Sequence, residues 1–264
     1  MQDRQLIASA AEVVLRNATE QLVAKQNEPL SVSRKELRDV VTEADLASER
    51  MLIDGLTAIT PNATILAEES GLTVNTGTTR WIIDPLDGTV NYASGLPWFS
   101  GTIAYQEDGE TVIGLTHGPR VPFFAKYIKG LCAEIDGRPA RVSNVERLDD
   151  AVVSVVITSH FNDEEVARVV RIVEALGKKA RGVRTICSGS LEMTLVASGR
   201  TSGYIGIKSD AVSHAATMPL VIQGGGLVTN ETGTPASDFD PIRIASNGHI
   251  HNELLDIVNA VIAS

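Results

Sequence analysis

The nine residues Trp81-Ile82-Ile83-Asp84-Pro85-Leu86-Asp87-Gly88-Thr89 constrain this chain more than any other stretch. Three bulky apolar residues in succession predict a buried strand. A strand that runs from such a core into two carboxylates must deliver them to water or to a cation, because a bare buried charge is costly. Pro85 and Gly88 predict a turn that returns Asp87 to the side on which Asp84 emerges. Two carboxylates three residues apart, with a carbonyl between them, match hard oxygen ligation of Mg²⁺. Gly88 and Thr89 then open the next segment with free backbone N–H groups suited to a phosphate oxygen. An acidic turn after a strand also occurs as a plain solvated loop, and the residues alone leave both readings open.

The chain has 264 residues, 43% of them hydrophobic, and a mean hydropathy of +0.06. That suits one large domain or two smaller packed ones. No stretch approaches the roughly 20 apolar residues of a membrane span. The first 22 residues read as an amphipathic helix without the parts of a secretory signal, so no membrane partner is expected. A net charge of −10 argues against a nucleic-acid or anionic-membrane surface. It is neutral about a small phosphorylated metabolite, since bound Mg²⁺ reverses the local sign. Cys132 and Cys187 have no C-x-x-C spacing, which implies neither a zinc site nor a disulfide scaffold. Both read as small core residues, and a cytoplasmic location is the default.

Apolar positions at Leu6, Ile7, Ala10, Val13, Val14 and Leu22 predict a helix over 5–25. The polar stretch from Lys25 to Arg38 reads as a hairpin or mobile loop. Thr42-x-x-Asp45 resembles a capping box opening a second helix through Ile59, with Leu46, Leu52, Ile53 and Leu56 inward and Pro61-Asn62 as its break. Short strands follow at Thr64–Leu66, Trp81–Ile83, Phe99–Tyr105, Thr111–Thr116 and Phe123–Ile128, with turns at Asp108-Gly109 and Asp136-Gly137. The second half alternates: strand Ala151–Thr158, helices 162–176 and 187–198, strand 203–207, helix 210–223 despite Pro219, strands Leu227–Thr229 and Arg243–Ala245, and helix 251–263. Two layered subdomains sharing a cleft are expected. Residues 1–150 form an α+β unit carrying the metal site, and 151–264 an α/β unit lining the substrate side.

The run Trp81–Tyr92 closely resembles the W-[IV]-[IV]-D-P-[IL]-D-G-T-x-N-[FY] signature of the inositol monophosphatase family. Further stretches resemble that family in the expected order. Asp39–Asp45 is similar to its D-x-V-T-x-x-D segment, and Ala67–Ser70 to its G/A-E-E-S. Leu96-Pro97 and Gly114–Pro119 fall where it has F-P and G-V-[VI]-x-x-P, and Arg184–Gly199 resembles its R-x-x-G-[ST]-A-A helix. The resemblance implies an αβαβα layered sandwich of the sugar-phosphatase type. It also implies Mg²⁺-dependent, lithium-sensitive hydrolysis of a small phosphate monoester by metal-activated water, and a homodimer. Glu68, Asp84 and the Leu86 carbonyl would hold a first Mg²⁺, and Asp84 and Asp87 would contribute to a second. Glu68, with Asp45 through water, would support a third. Thr89 would hydrogen-bond the attacking water and help Glu68 remove its proton. Asp87, Gly88, Thr89, Ser188 and Gly189 would contact substrate, with His160 a further lining position. Arg34 and Lys35 would cover the site or form an ordinary charged turn.

The resemblance breaks at the family's last motif, W-D-x-A-A-G. Val212-Ser213-His214-Ala215-Ala216-Thr217 occupies its place, so Ser213 stands at the aspartate that completes the second metal site. Asp210 is three residues away, which on a helix is a displacement of roughly 4–5 Å. Gly206 stands where the family often has a glutamate that contacts inositol, and Ser202 replaces the usual aspartate of G-R-x-D. His214 reads as a packing residue, since imidazole suits softer ions than Mg²⁺. Two alternatives follow. The chain is a phosphatase with a weakened second ion site and a substrate other than inositol phosphate, or a degenerate member that binds a phosphorylated ligand or a protein partner without turnover.

Overall fold

A computed structural model describes residues 2–26, 32–34, 40–73, 78–121 and 123–263. Helix α1 (Gln2–Lys25) is followed by the antiparallel strands β1 (Val32–Arg34) and β2 (Val40–Thr42), and then by α2 (Glu43–Ile59). Lys35 and the side chains of Arg34 and Thr42 lie outside the described residues, and with them the expected capping box. The inward face of α1 is Ala8, Ala11, Leu15, Ala18 and Leu22. It differs from the expected stripe, since Leu6 and Val13 are exposed. The alanines share a core with Leu52 and Leu56 of α2, and the two helices approach closely beside them: a Cβ on Gly55 of α2 would lie 2.6 Å from Val14 of α1. In the first turns of α2 the buried residues are Ala44, Asp45, Ser48 and Glu49, and Leu46 faces out.

The first sheet contains β3 (Thr64–Ala67), β4 (Gly71–Thr73) and β5 (Thr79–Asp87), then, after the short helix α3 (Thr89–Ala93), β6 (Ser100–Glu107) and β7 (Glu110–Gly118). It ends with β8 (Phe123–Ile128), β9 (Cys132–Ile135) and β10 (Arg138–Pro139). The spatial order is β10-β9-β8-β7-β6-β5-β3-β4, antiparallel except for β3 with β5. The turns Asp108-Gly109 and Asp136-Gly137 have positive φ at both residues, the twist that two-residue hairpins require.

The second sheet contains β11 (Val152–Val155), β12 (Gly182–Arg184), β13 (Gly203–Gly206), β14 (Leu227–Thr229) and β15 (Arg243–Ser246), in the order β12-β11-β13-β15-β14. Helices α4 (Asp163–Gly177) and α7 (His251–Ile262) cover its outer face. Helices α5 (Gly189–Ala197) and α6 (Met218–Gln223) lie between the sheets: Leu191, Met193, Leu220 and Val221 share one core with Phe123 and Ala125 of β8 and Val228 of β14. The layers therefore run α, β, α, β, α, the sandwich expected from the sequence. Among the described residues no helix is long and apolar enough to cross a membrane.

One helix is shorter than expected. Residues 212–217 form successive turns, and only Met218–Gln223 is helical. The Asp210 side chain takes the Ser213 N–H at 2.9 Å and the His214 ring pairs with the Asp210 carbonyl at 3.0 Å, so side chains compete with helical bonding. Pro219, which has no N–H to give, is accommodated in the first turn of α6.

Candidate metal and phosphate site

Trp81, Ile82 and Ile83 are fully buried, as their run in the sequence demands. The two carboxylates that follow reach one face by a device other than the expected turn. Strand β5 stays extended through Asp87, and its register with β6 slips: Asp84 opposes Thr102 and Asp87 opposes Ser100. Three residues of β5 thus match two of β6. This bulge cancels the usual alternation, so Asp84 and Asp87 face the same way. The turn comes at Gly88, whose φ of +93° is left-handed and whose missing Cβ would lie 2.8 Å from the Trp98 carbonyl oxygen.

Around this bulge the chain supplies oxygen. Asp84 is buried; its Oδ1 accepts from the Leu86 N–H at 3.2 Å and its Oδ2 from the Ser213 hydroxyl at 2.8 Å. The Thr89 hydroxyl lies 3.1 Å from Asp45 Oδ1 and 3.0 Å from the Leu86 carbonyl oxygen. Glu68 sits in the turn after β3, where Glu49 of α2 accepts the N–H groups of Glu69 at 2.8 Å and Ser70 at 3.0 Å. Glu68, Asp84, Leu86, Asp87, Gly88 and Thr89 line one cavity of about 330 Å³. Its far wall comes from the second half and includes Ile157, Gly189, Tyr204, Lys208, Asp210 and Ser213. A larger groove of about 880 Å³, lined by residues such as Arg80, Ile222 and Phe239, contains none of these carboxylates.

Asp87 is placed differently from Asp84. Its Oδ2 accepts from the Ser188 hydroxyl at 2.8 Å, the Ser190 N–H at 2.8 Å and the Ser190 hydroxyl at 2.6 Å; its Oδ1 accepts from the Gly189 N–H at 3.2 Å. It therefore sits on the N-terminus of α5, where orphan N–H groups and the helix dipole favour an anion. Ser188, expected as a substrate contact, is fully buried beneath Asp87, while Gly189 does line the cavity.

Burial, followed by the negative charges of Glu68, Asp87 and Asp210, holds the Asp84 carboxyl well above the usual range. Burial also raises Asp87, against the pull of the Ser190 and Ser188 hydrogen bonds. Lys208 is the one Lys or Arg among the described residues lining the cavity, and its Nζ already donates to the His160 carbonyl at 3.0 Å and to Glu165 at 3.2 Å. His160 stands at this rim. A hard cation would relieve the crowding, and carboxylate plus carbonyl oxygens are its natural donors. The residues thus fit Mg²⁺ by chemistry at Glu68, Asp84 and the Leu86 carbonyl, although among the described residues no three acidic, imidazole or thiol side chains converge on one point.

His214 is buried, with Nε2 2.7 Å from the Tyr204 hydroxyl and Nδ1 3.0 Å from the Asp210 carbonyl oxygen. A carbonyl only accepts, so Nδ1 carries the proton and Nε2 accepts from Tyr204. Burial, then Arg243, lowers its pKa to about 4, which keeps the ring neutral. Asp210, expected a helical turn away, lines the cavity because its segment is not helical. A Cβ on Gly206 would lie 2.4 Å from Ser209 Oγ and 2.7 Å from the Tyr204 hydroxyl, so that position has no room for a side chain as the wall stands.

Three contributors were missed from sequence. Glu49 holds the Glu68 turn, Ser190 gives Asp87 two of its bonds, and the Asn91 side chain donates to the carbonyls of Trp98 at 2.8 Å and Ile186 at 2.7 Å, joining the α3 and α5 segments. Ser190 carried a signal as a small hydroxyl residue at a helix start, and Asn91 as the asparagine of the Trp81–Tyr92 signature; Glu49 carried none.

Comparisons with known proteins place the chain in a family. The chain is 33% identical over 225 residues to the fructose-1,6-bisphosphatase/inositol-1-monophosphatase of Thermotoga maritima, covering 85% of this chain and 84% of that one. It is 32% identical over 217 residues to Nus factor SuhB of Escherichia coli K12, covering 80% of each. Its fold superposes on the extragenic suppressor protein suhB of Bartonella henselae with a TM-score of 0.90 at 28% identity, over 95% of this chain and 97% of that one. The model of the inositol monophosphatase family matches residues 1–263, and the chain belongs to that family.

Proposed function

We propose that this protein hydrolyses a small phosphate monoester in a Mg²⁺-dependent reaction, with water as the nucleophile. Glu68, Asp84 and the Leu86 carbonyl would hold the ion, which when bound lowers the pKa of a coordinated water and draws charge from the phosphate oxygens. The observation that carries the proposal is the Thr89 hydroxyl poised between Asp45 Oδ1 and the Leu86 carbonyl, at the edge of the acidic cavity. Thr89 Oγ1 has a lone pair for a proton of the attacking water and gives its own proton toward Asp45; Glu68 faces the same space as an alternative acceptor. Gly88 and Thr89 stand at the start of α3, where N–H groups lack helical acceptors and suit a phosphate oxygen. The substrate's organic part would meet the second-half wall. The absent side chain at Gly206 and the Tyr204 hydroxyl in its place support a substrate other than inositol phosphate.

A second reading, binding of a phosphorylated ligand or a protein partner without turnover, draws on Ser213 and on the relative named a Nus factor. That name belongs to the relative, and it stands against the expectation from net charge that nucleic acid has no part here. A homodimer, which rests on the family resemblance, is testable by light scattering, and the two free cysteines fit the reducing compartment of a cytoplasmic protein. A panel of sugar, inositol and nucleotide phosphates assayed across Mg²⁺ concentrations tests the main reading. Metal-dependent release of phosphate is the expected result. No turnover at any Mg²⁺ level, with phosphate-ligand binding retained, would establish the second reading instead.

A further inference from the structure

Resting on the phosphatase reading, we infer that Lys208 determines specificity: its ammonium group binds a second anionic group on the substrate, a carboxylate or a further phosphate, beside the ester that is cleaved. Gly88 and Thr89 lie on the first-half wall of the cavity and Lys208 on the wall that faces it. The same cavity holds the carboxylates of Glu68, Asp84, Asp87 and Asp210. A further anion that enters among them needs a cation of its own, because opposite charges at close range are what favour the charged form there. Among the described residues lining the cavity, Lys208 alone brings an ammonium or guanidinium group. Asp210, two residues on, turns Oδ1 back to the Ser213 N–H at 2.9 Å.

Lys208 has a fixed base and a movable head. Strand β13 just before it is paired on both edges, and the Ser209 N–H just after it donates to the Pro241 carbonyl at 2.7 Å. The side chain itself is 42% exposed, on a stem of four carbons that reaches in more than one direction. Its Nζ donates to the His160 carbonyl at 3.0 Å and to Glu165 Oε2 at 3.2 Å. Glu165 has a second task. It closes the capping box of α4, where Oε2 also accepts the Asn162 N–H at 2.7 Å and the Glu165 N–H donates to Asn162 Oδ1 at 2.9 Å. When Lys208 turns to a substrate anion, Glu165 keeps its bonds to Asn162, and the His160 carbonyl can still hold one proton of the ammonium group. No buried group is stranded, and an exposed ion pair of this kind is weak. The Glu165 carboxylate is therefore a placeholder for an anion of the substrate. A substrate with a neutral body leaves the pair as it is and gains nothing from Lys208.

The full-length protein is tested with Mg²⁺ on glucose 6-phosphate, 6-phosphogluconate and glucose 1,6-bisphosphate. All three have a six-carbon body; beyond one phosphate they carry no further anion, a carboxylate and a second phosphate respectively. KM for at least one of the last two should lie about 10-fold or more below that for glucose 6-phosphate, the scale of one charge-assisted hydrogen bond. The favoured compound identifies the anion. Lys208→Met should abolish this preference through KM rather than kcat, and Lys208→Arg should restore part of it. Glu165→Gln keeps the capping box, which accepts glutamine, and removes the competing charge, so it should widen the preference by about 3-fold. An ion pair that only braces the fold predicts instead that Lys208→Met and Glu165→Gln change KM for all three compounds alike. That result, or equal KM values in the wild type, would overturn the inference and leave the phosphatase reading intact. No phosphate released from any compound would count against the phosphatase reading; calorimetric binding of the same compounds to the wild type and to Lys208→Met then decides the inference by itself.

Discussion

On the wall of the cleft built from β5 and the turn after β3, the carboxylates of Asp84 and Glu68 crowd together. The opposite wall, built from α5 and residues 210–214, supplies hydroxyls and N–H groups that bind Asp87 and one oxygen of Asp84. The same strand thus leaves one carboxylate in an acidic cluster and seats the other on a helix terminus. Two carboxylates of one acidic motif therefore differ in what surrounds them, because the facing wall donates mainly to Asp87.

The largest effect expected on the first wall comes from Asp84→Asn, which should lower kcat/KM by at least about 1000-fold and abolish Mg²⁺ binding by calorimetry. Unchanged activity would remove Asp84 from the metal site. Thr89→Ala keeps the carboxylates and should lower kcat by about 100-fold at saturating Mg²⁺, the usual scale for a proton-transfer group. On the second wall the readout changes from activity to stability. Asp87→Ala strands the donors of Ser188, Gly189 and Ser190 and should cost about 3 kcal/mol in urea unfolding, more than a mere metal ligand would in metal-free protein.

Glu192 sharpens the contrast through pH. Burial raises its pKa to about 8, and one of its oxygens accepts the Ile186 N–H at 3.2 Å. The folded protein binds this proton more tightly than the unfolded chain. Its contribution to stability is therefore full below the ordinary carboxylate range and is lost as pH rises through about 8. Glu192→Gln should flatten that fall and raise stability at pH 9 by on the order of 1–2 kcal/mol. Mg²⁺ should leave the slope in place, since Glu192 does not line the cavity. A slope abolished by Mg²⁺ would place Glu192 with the first wall. The smallest effect is that of Glu49→Gln, which loosens the Glu68 turn and should weaken Mg²⁺ binding by about 10-fold.

Much of the fold was legible in the sequence where signals are local. Trp81–Ile83 announced a buried strand, Asp108-Gly109 and Asp136-Gly137 announced tight hairpins, and the ordered motifs carried the layered sandwich. Errors arose where packing chose between locally equal options. Leu6 and Val13 made a plausible stripe on α1, but both are exposed, and Ala8, Ala11 and Ala18 pack in one core with Leu52 and Leu56 of α2. The stretch 210–217 looked helical until Asp210 took the Ser213 N–H. Asp84 and Asp87 were placed together correctly, yet by a bulge whose register is set by β6.

By itself the sequence determined which carboxylates exist, that a buried strand must carry them to a cleft, and that serine stands where an acid would be. Only the tertiary structure decided what each carboxylate meets. Ser213 reaches Asp84 across 129 residues and Ser190 reaches Asp87 across 103. Hydrogen bonds at that separation follow from how the two sheets sandwich α5 and α6, and no local pattern encodes them.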